Sequence, residues 1–391
     1  MGTMGKYLLL TFCLYGVVVH GQSEVGGVIM DADEKIPLEF VHIFNRKHST
    51  ISNTDGRFLL RTSLDTILFF RNGYEKKELT RASLKDTIYL EKNVVALDEV
   101  VVTNAKKILQ KIKDSINSNY LLTPHTETFF IRALLRKNDT LVRLQDMTGT
   151  LLRKTSIYGN GLEMEKKDYQ VQLAEMRQLG IVRDVYGVNF ELPSLYNIFG
   201  EFMRLNAMGP EFDVIEKPYE NSEEIRVEFN SLPTEDGSSA TGHYIINEED
   251  NAILSFELFL KGAQKTSKTD LEKYTHVLKG GSSMYFKEDV EKGLYYLHRA
   301  KRTFSLEVKT EKHPKPDVYE MEITLYTPES FGNEKIKSNV NEHKDIFMLK
   351  HPYNEAYWQE QSWLPVTEEI KEFIQTIGKG TSGLKTKGNM N

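Results

Sequence analysis

Short apolar runs separated by turn residues dominate the first hundred residues of this chain. Their close, regular spacing predicts about seven short β-strands over residues 25–102. Asp31-Ala32-Asp33-Glu34 and Asn53-Thr54-Asp55-Gly56 are predicted turns, because Asp and Asn bond their own backbone and glycine accepts a positive φ. The run Thr66–Phe70 is apolar on both faces, as expected for a central strand of a small β-sandwich.

The pattern changes to a helical period after this region. Over residues 104–120, Ile108, Ile112, Ile116 and Tyr120 recur every fourth position while the lysines stay outside, which predicts an amphipathic helix. A basic amphipathic helix can lie on a membrane, but a helix docked on the next domain is the commoner outcome. We therefore assign residues 104–125 to a linker helix between two domains.

Residues 126–377 alternate between apolar and polar positions over many segments. The segments around Asn138-Asp139 predict a β-hairpin, and Ile225, Val227 and Phe229 alternate with charged residues. Such alternation predicts antiparallel sheets with one wet face. The whole chain is therefore expected to be mainly β, and the large domain is either a closed sandwich or an open half-barrel.

A few helices are predicted to interrupt these strands. Apolar positions with helical spacing predict helices over residues 195–202 and over residues 370–377, the latter capped by Thr367. Residues 168–179 are expected to form a helix that ends at Gly180, although their pattern is mixed. Residues 378–391 are rich in Gly, Lys, Ser and Thr and are expected to form a flexible tail.

Composition and the N-terminus place the protein outside the cytoplasm. Lys6 followed by an apolar run up to Val19 predicts a signal peptide over residues 1–21. The only cysteine is Cys13, inside that segment, so the mature chain is expected to have no disulfide and no thiolate site. The formal charge is −6 with no basic block, which argues against nucleic-acid binding.

Two groups of motifs resemble known families. The first group consists of Gly26-Gly27-Val28-Ile29-Met30-Asp31, Asn53-Thr54-Asp55-Gly56-Arg57-Phe58, Gly73-Tyr74-Glu75 and Leu97-Asp98-Glu99-Val100-Val101-Val102-Thr103. With these motifs, residues 22–103 resemble the carboxypeptidase-regulatory-like domain, a transthyretin-like sandwich of Bacteroidetes-type cell envelopes. More loosely, Gly242-His243-Tyr244-Ile245-Ile246-Asn247 and Tyr353-Asn354-Glu355-Ala356-Tyr357-Trp358 resemble envelope proteins whose β-rich region is similar to the half-barrel of lipoprotein carriers.

No catalytic pattern accompanies these motifs. The sequence contains no His-Glu-x-x-His, so neither a zinc peptidase nor another metal site is expected, and no cofactor is implied. Ser282-Ser283 after Gly280-Gly281 is assigned to a polar turn and not to a nucleophile. The candidate contact residues for a ligand or partner are Tyr353, Tyr357, Trp358 and Trp363, with packing against the last helix as the preferred alternative.

The leading hypothesis is an exported, non-enzymatic binding or scaffold protein of the cell envelope. Its partner would be a peptide, a glycan or a membrane protein, in the periplasm or in peripheral association with the outer membrane. The second hypothesis is a periplasmic carrier of a lipid or lipoprotein, whose C-terminal half shelters an acyl chain in an apolar cavity.

Overall fold

The structure is a computed structural model of the chain. It describes residues 23–93, 105–155, 169–181, 191–202, 212–218, 224–232, 234–262, 267–268, 273–310, 313–328, 331–377 and 386–390. The predicted signal peptide and the motif around Leu97 lie outside these residues.

The first described segment forms two small sheets that share one apolar core. Its seven strands are β1 Ser23–Asp31, β2 His42–Phe44, β3 Ser49–Ile51, β4 Arg57–Thr62, β5 Thr66–Phe70, β6 Lys77–Thr80 and β7 Thr87–Leu90. One sheet has the order β4-β1-β7 and the other β3-β2-β5-β6; only the pair of β1 with β7 is parallel. Buried side chains from both sheets, such as Ile29, Ile43 and Phe69, meet between them. We call this unit the sandwich.

Its two predicted turns are confirmed. The Asp31 carboxylate accepts hydrogen bonds from the backbone N–H groups of Asp33 and Glu34, each at 2.8 Å. Asn53 Oδ1 accepts from the N–H groups of Asp55 and Arg57, and Gly56 has φ +72°. A Cβ on Gly56 would collide with the Ile29 carbonyl oxygen, so this turn requires glycine.

The remaining strands belong to one open sheet. They are β8 His125–Lys137, β9 Thr140–Arg153, β10 Tyr169–Ile181, β11 Phe212–Pro218, β12 Glu224–Ser231, β13 Ser239–Asn247, β14 Ile253–Lys261, β15 Ser267–Lys268, β16 Lys273–Asp289, β17 Leu294–Thr310, β18 His313–Tyr326, β19 Phe331–Gly332 and β20 Thr386–Gly388. The main order is β11-β12-β13-β14-β16-β17-β18-β8-β9-β10-β20, with every pair antiparallel. The fold is thus mainly β, as predicted.

The hairpin between β8 and β9 turns where the sequence predicts it. Asn138 and Asp139 have φ values of 48° and 64°. Two consecutive positive φ angles match a type I′ turn, whose twist fits that of the flanking strands.

The described helices are few. They are α1 Ala105–Asn119, α2 Leu195–Phe202, α3 Glu355–Glu360 and α4 Glu368–Ile377, with 3₁₀ turns at Arg81–Ser83 and Ile346–Met348. The helical spacing seen in the sequence is therefore confirmed for α1, α2 and α4. The Thr367 hydroxyl accepts a hydrogen bond from the Ile370 N–H at 3.3 Å and caps α4 as predicted.

The predicted helix over residues 168–179 is wrong, because this segment is strand β10. A β-bulge between Leu173 and Glu175 inserts one residue into its pairing with β9. Val171 and Leu173 face the same apolar cluster as Met176, so the inward positions change phase at the bulge. The resulting spacing of three residues imitates a helix in the sequence.

Two further expectations are corrected. Gly280, Gly281, Ser282 and Ser283 lie in the middle of β16 and not in a turn, because both neighbouring strands, β14 and β17, pair with them. Within the predicted flexible tail, Thr386–Gly388 forms β20, which pairs with Leu179–Ile181 of β10. Asn389 strengthens this contact by bonding the backbone of Met176 and Gln178.

The sandwich and the C-terminal segment pack on one face of the large sheet, which we call the outer face. An apolar cluster contains Phe40 and Ile51 from the sandwich, Phe130 and Tyr326 from the sheet, and Trp358 from α3. The Ile51 N–H donates to the Trp363 carbonyl at 3.0 Å, and the hydroxyls of Ser49 and Tyr326 are 2.8 Å apart. The opposite, inner face holds the main hydrophobic core.

Candidate functional site

The inner face of the large sheet is apolar across most of its strands. Alternation along β8 places Phe129, Ile131, Ala133 and Leu135 on this face, all of them buried. They belong to one continuous cluster with inward residues from the other strands: Met147 and Leu151 of β9, Val171 and Met176 of β10, Val227 and Phe229 of β12, Tyr244 and Ile246 of β13, Phe256 and Leu258 of β14, Met284 and Phe286 of β16, Leu297 and Ala300 of β17, and Ile323 and Leu325 of β18.

Helix α1 covers one part of this face. Ile108, Ile112 and Ile116 are buried in the cluster, while the lysines at 106, 107 and 111 are exposed. The C-terminal end of the helix is fixed by Tyr120, whose hydroxyl accepts from the Ile253 N–H at 2.5 Å. The ring of Tyr120 also meets that of Phe286 edge-on, with centroids 5.5 Å apart.

Helix α2 covers a second part. Its four apolar side chains, Leu195, Ile198, Phe199 and Phe202, are fully buried in the same cluster. The Phe199 ring meets Phe129 of β8 edge-on at 5.4 Å between centroids. Helix α2 has only eight residues, so most of its stability must come from the packing of these side chains against the sheet.

The start of α2 is attached to the segment that precedes the second 3₁₀ turn. Ser194 and Asp345 form an isolated antiparallel bridge, and the Tyr196 N–H donates to the Glu342 carbonyl at 2.8 Å. That segment is itself held at β10, because the Asn339 side chain donates to the Leu173 carbonyl and accepts from the Leu173 N–H, both at 2.8 Å. Together α1, α2 and residues 346–349 form what we call the cover of the inner face.

The described buried residues of this face are apolar side chains and three tyrosines, Tyr120, Tyr244 and Tyr295. Burial raises the pKa of the Tyr120 hydroxyl well above its ordinary value, and burial likewise raises the pKa of Tyr244. Both hydroxyls are therefore neutral at physiological pH. Among the described residues, the buried members of this cluster include no charged side chain.

The outer face carries the buried charges instead. Asp146 of β9 lies between Arg132 of β8 and Arg177 of β10; Arg132 Nε and Nη2 donate to its two oxygens at 2.9 and 3.0 Å. Burial opposes ionisation of this carboxyl, yet the two guanidinium groups hold the pKa of Asp146 below its ordinary value. Arg132 also donates to the carbonyls of Leu364 and Pro365, so the network fixes the C-terminal segment on the sheet.

The four predicted contact residues come together in that same region. Trp358 is buried and Tyr353, Tyr357 and Trp363 are half-buried, all within the apolar cluster at the sandwich junction. The Tyr357 hydroxyl bonds Thr148 at 3.0 Å, and the Arg177 guanidinium stacks on the Trp358 ring. The expected packing against the last helix is wrong, because Ile370 and Phe373 of α4 belong to a separate apolar cluster. A ligand contact at the four aromatic residues stays a prediction.

The cover cannot be predicted as a unit from the sequence. The α2 stripe was visible, but nothing in the sequence joins it to Ile346 and Phe347, which are about 150 residues away along the chain. A weak signal existed in Asp345, whose side chain accepts from the Phe347 N–H at 2.8 Å in the manner of a helix cap.

Neither metal-binding clusters nor membrane-spanning helices occur in the described part of the chain. No group of three or more His, Cys, Asp or Glu side chains is arranged there to hold a metal ion. None of its helices is long and apolar enough to cross a membrane.

No protein-family profile matches the chain, and no curated protein matches it. Among solved structures, a domain described as an outer membrane lipoprotein-sorting protein from Vibrio parahaemolyticus is 9% identical with a TM-score of 0.26, covering 60% of this chain and 96% of that one. A LolA-superfamily protein from Nitrosomonas europaea is 11% identical with a TM-score of 0.21, covering 58% and 95%. Similarities this low assign neither fold nor function, and the carboxypeptidase-regulatory-like identity of the sandwich stays a prediction.

Proposed function

We propose that this protein is an exported, non-catalytic carrier that binds the acyl chain of a lipid or lipoprotein on the inner face of its large sheet. The observation that supports the proposal is the continuous apolar inner face, which, among the described residues, is covered by α1, α2 and a 3₁₀ turn. A second sheet would close such a face, whereas separate helices packed on it can move apart.

The free energy needed to expose the apolar side chains of α2 is similar in size to the free energy gained when an acyl chain is buried. Exposing the four apolar side chains of α2 costs about 1.5–3 kcal/mol each, or roughly 6–12 kcal/mol together. Burying an acyl chain of about 15 methylenes returns about 12 kcal/mol, at about 0.8 kcal/mol for each methylene. An acyl chain can therefore replace α2 on the inner face without a large net change in free energy, as reversible carriage requires.

A reversible cross-link tests whether α2 must separate from the 3₁₀ turn at residues 346–348 before an acyl chain can bind. Ser194 and Asp345 are antiparallel bridge partners, whose Cα atoms lie about 4.5–5.5 Å apart, within the range that a disulfide needs. The Ser194→Cys/Asp345→Cys variant should take up a fluorescent C16 fatty acid when reduced and lose uptake when oxidised. The only natural cysteine lies in the predicted signal peptide, so no other thiol competes in the mature chain.

The control is a cross-link that leaves the cover free. Tyr74 and Lys92 form an isolated antiparallel bridge in the sandwich, and the Tyr74→Cys/Lys92→Cys variant should take up the fatty acid equally in both redox states. Equal uptake by oxidised and reduced Ser194→Cys/Asp345→Cys would refute opening at α2. Absence of any lipid, by mass spectrometry, in protein purified from its native envelope would refute carriage itself.

The leading hypothesis from the sequence, a non-enzymatic scaffold, stays a prediction. A scaffold role needs no mobile cover. A variant that loses only the scaffold role would keep fatty-acid uptake unchanged.

A further inference from the structure

A recess lies on the outer face of the large sheet, on the side opposite to the proposed acyl site. Its floor consists of small residues at adjacent outward positions of two paired strands, Gly281 and Ser283 of β16 with Thr303 and Ser305 of β17. Larger side chains surround this floor, and the recess, which is open to solvent, has a volume of about 550 Å³. That volume is in the range of small-molecule sites.

The charged groups of the rim neutralise one another. Lys301 Nζ donates to both oxygens of Glu39, at 2.8 and 3.0 Å, and lies 3.4 Å from Glu322. On the other side, the Tyr285 hydroxyl donates to Glu257 at 2.9 Å. The lining contains four glutamates and four Lys or Arg side chains, so the recess favours a ligand without net charge.

One side of the rim is an exposed aromatic ring. Phe259 of β14 is 56% exposed and pairs with Gly281 in the strand register. Because Gly281 has no side chain, the ring has no cross-strand neighbour on β16 and one side of it borders the recess. An exposed phenylalanine beside an empty position is suited to stack on a flat, partly apolar ligand face.

The floor contains an unused polar atom. Ser305 is only 3% exposed, and its hydroxyl has no hydrogen-bond partner among the described residues. A buried hydroxyl without a partner costs free energy, which a ligand that donates or accepts a hydrogen bond there would recover.

We propose that this recess binds a neutral saccharide, with one sugar ring stacked on Phe259 and its hydroxyl groups bonded to the rim. Sugar hydroxyls both donate and accept hydrogen bonds, which matches a rim of carboxylates beside Lys301. The sugar ring also has an apolar face of C–H groups, which matches Phe259. A peptide in extended conformation would use backbone groups instead, and every β14, β16 and β17 backbone position at the floor is already paired within the sheet.

The test uses the mature chain and three neutral probes, N,N′,N″-triacetylchitotriose, cellotriose and maltotriose, with trialanine as the peptide probe. Saturation-transfer NMR should detect binding of at least one trisaccharide, and calorimetry should then give its affinity. Phe259→Ala should weaken that binding about tenfold, and Phe259→Trp should keep it, because only the latter retains the stacking surface. Thr303→Tyr should abolish it by filling the recess; Thr303 is exposed, and tyrosine is favoured in strands.

The matched control is Val290→Ala, which removes an 86% exposed apolar side chain in a turn far from the floor. Each variant should keep the circular dichroism spectrum and fatty-acid uptake of the wild type, which separates failure of this proposal from failure of the carrier function. The proposal is overturned if no trisaccharide binds at 10 mM concentration (roughly the weakest affinity a site of this size would give). It is equally overturned if Thr303→Tyr binds as well as the wild type, or if trialanine binds and the trisaccharides do not.

Discussion

Acidification should weaken the junction between the sandwich and the large sheet. His42 of β2 and His298 of β17 meet there with ring centroids 4.5 Å apart, and both are about 2% exposed. The charged groups that face His42 are the Lys287 and Arg299 side chains, both basic, and Phe44 stacks on its other side. His298 meets the same two cations and bonds the Thr327 carbonyl through Nδ1 at 2.9 Å.

The sign and size of the effect follow from this environment. Burial is the main cause that holds the pKa of His42 and of His298 well below the ordinary value of 6.5. The nearby Lys287 and Arg299 lower both pKa values further, and His298 also lowers that of His42. Below pH 6.5 these histidines are therefore protonated in the unfolded chain but remain neutral in the folded chain. The free energy of unfolding keeps its full value above pH 6.5 and falls as the pH decreases toward the folded pKa values. Between pH 7.5 and 5.5 each histidine should lower the free energy of unfolding by about 1.4 kcal/mol.

Tryptophan fluorescence is the natural assay for this change. The chain has two tryptophans, Trp358 and Trp363, and both lie in the cluster that joins the sandwich to the sheet. Urea unfolding measured at pH 7.5 and at pH 5.5 gives the loss in the free energy of unfolding between the two pH values. This loss should be smaller by about 1.4 kcal/mol in His42→Phe, a substitution that keeps a ring between Phe44 and His298.

The same substitution at His343, an exposed residue outside the junction, is the control. An unchanged pH dependence of stability in His42→Phe, or an equal flattening in His343→Phe, would contradict a role of the buried histidines.

Two further predictions concern the large sheet, both measured by urea unfolding. Asp146→Asn should destabilise the protein by about 3–5 kcal/mol, because Arg132 and Arg177 would be left buried without their shared carboxylate; a loss below 1 kcal/mol (about the value of an exposed ion pair) would contradict this. Gly149→Ala should cost about 1–3 kcal/mol, because a Cβ there would overlap the Gln172 carbonyl and lie 3.0 Å from Leu173 Cα. The control is Gly280→Ala, whose Cβ would meet nothing closer than 3.4 Å.

Local patterns in the sequence predicted the elements whose geometry is local. The isoleucine spacing of α1 and the Asn138-Asp139 turn depend only on nearby residues, so both could be predicted. Strand β10 could not, because its bulge is set by pairing with β9 and changes which residues face inward. The same holds for Gly280 to Ser283: glycine and serine are typical of turns, and only the flanking strands β14 and β17 make this segment a strand.

The candidate site was predictable only in part. Alternation along the strands does not indicate which face of the sheet the helices cover, and an apolar stripe on α2 is compatible with packing anywhere in the core. The position of α2 on the inner face depends on the pairing of Ser194 with Asp345 and on the hydrogen bonds of Asn339 to β10. Both contacts join residues that are far apart in the chain. The aromatic residues near Trp358 were visible in the sequence because of their size, yet their neighbours Phe40 and Ile51 come from the other end of the protein.

The two proposed sites lie on opposite faces of the same strands and can therefore be separated by mutation. In β16, Met284 faces the proposed acyl site, while Gly281 and Ser283 face the recess. In β17, Ala300 faces the proposed acyl site and Thr303 faces the recess. Since alternate side chains point to opposite faces, a larger side chain at Thr303 fills the recess without touching the inner core. Thr303→Tyr should thus lose the saccharide and keep the fatty acid, and oxidised Ser194→Cys/Asp345→Cys should do the reverse. Loss of both ligands in either variant would mean that the two faces are coupled through the sheet.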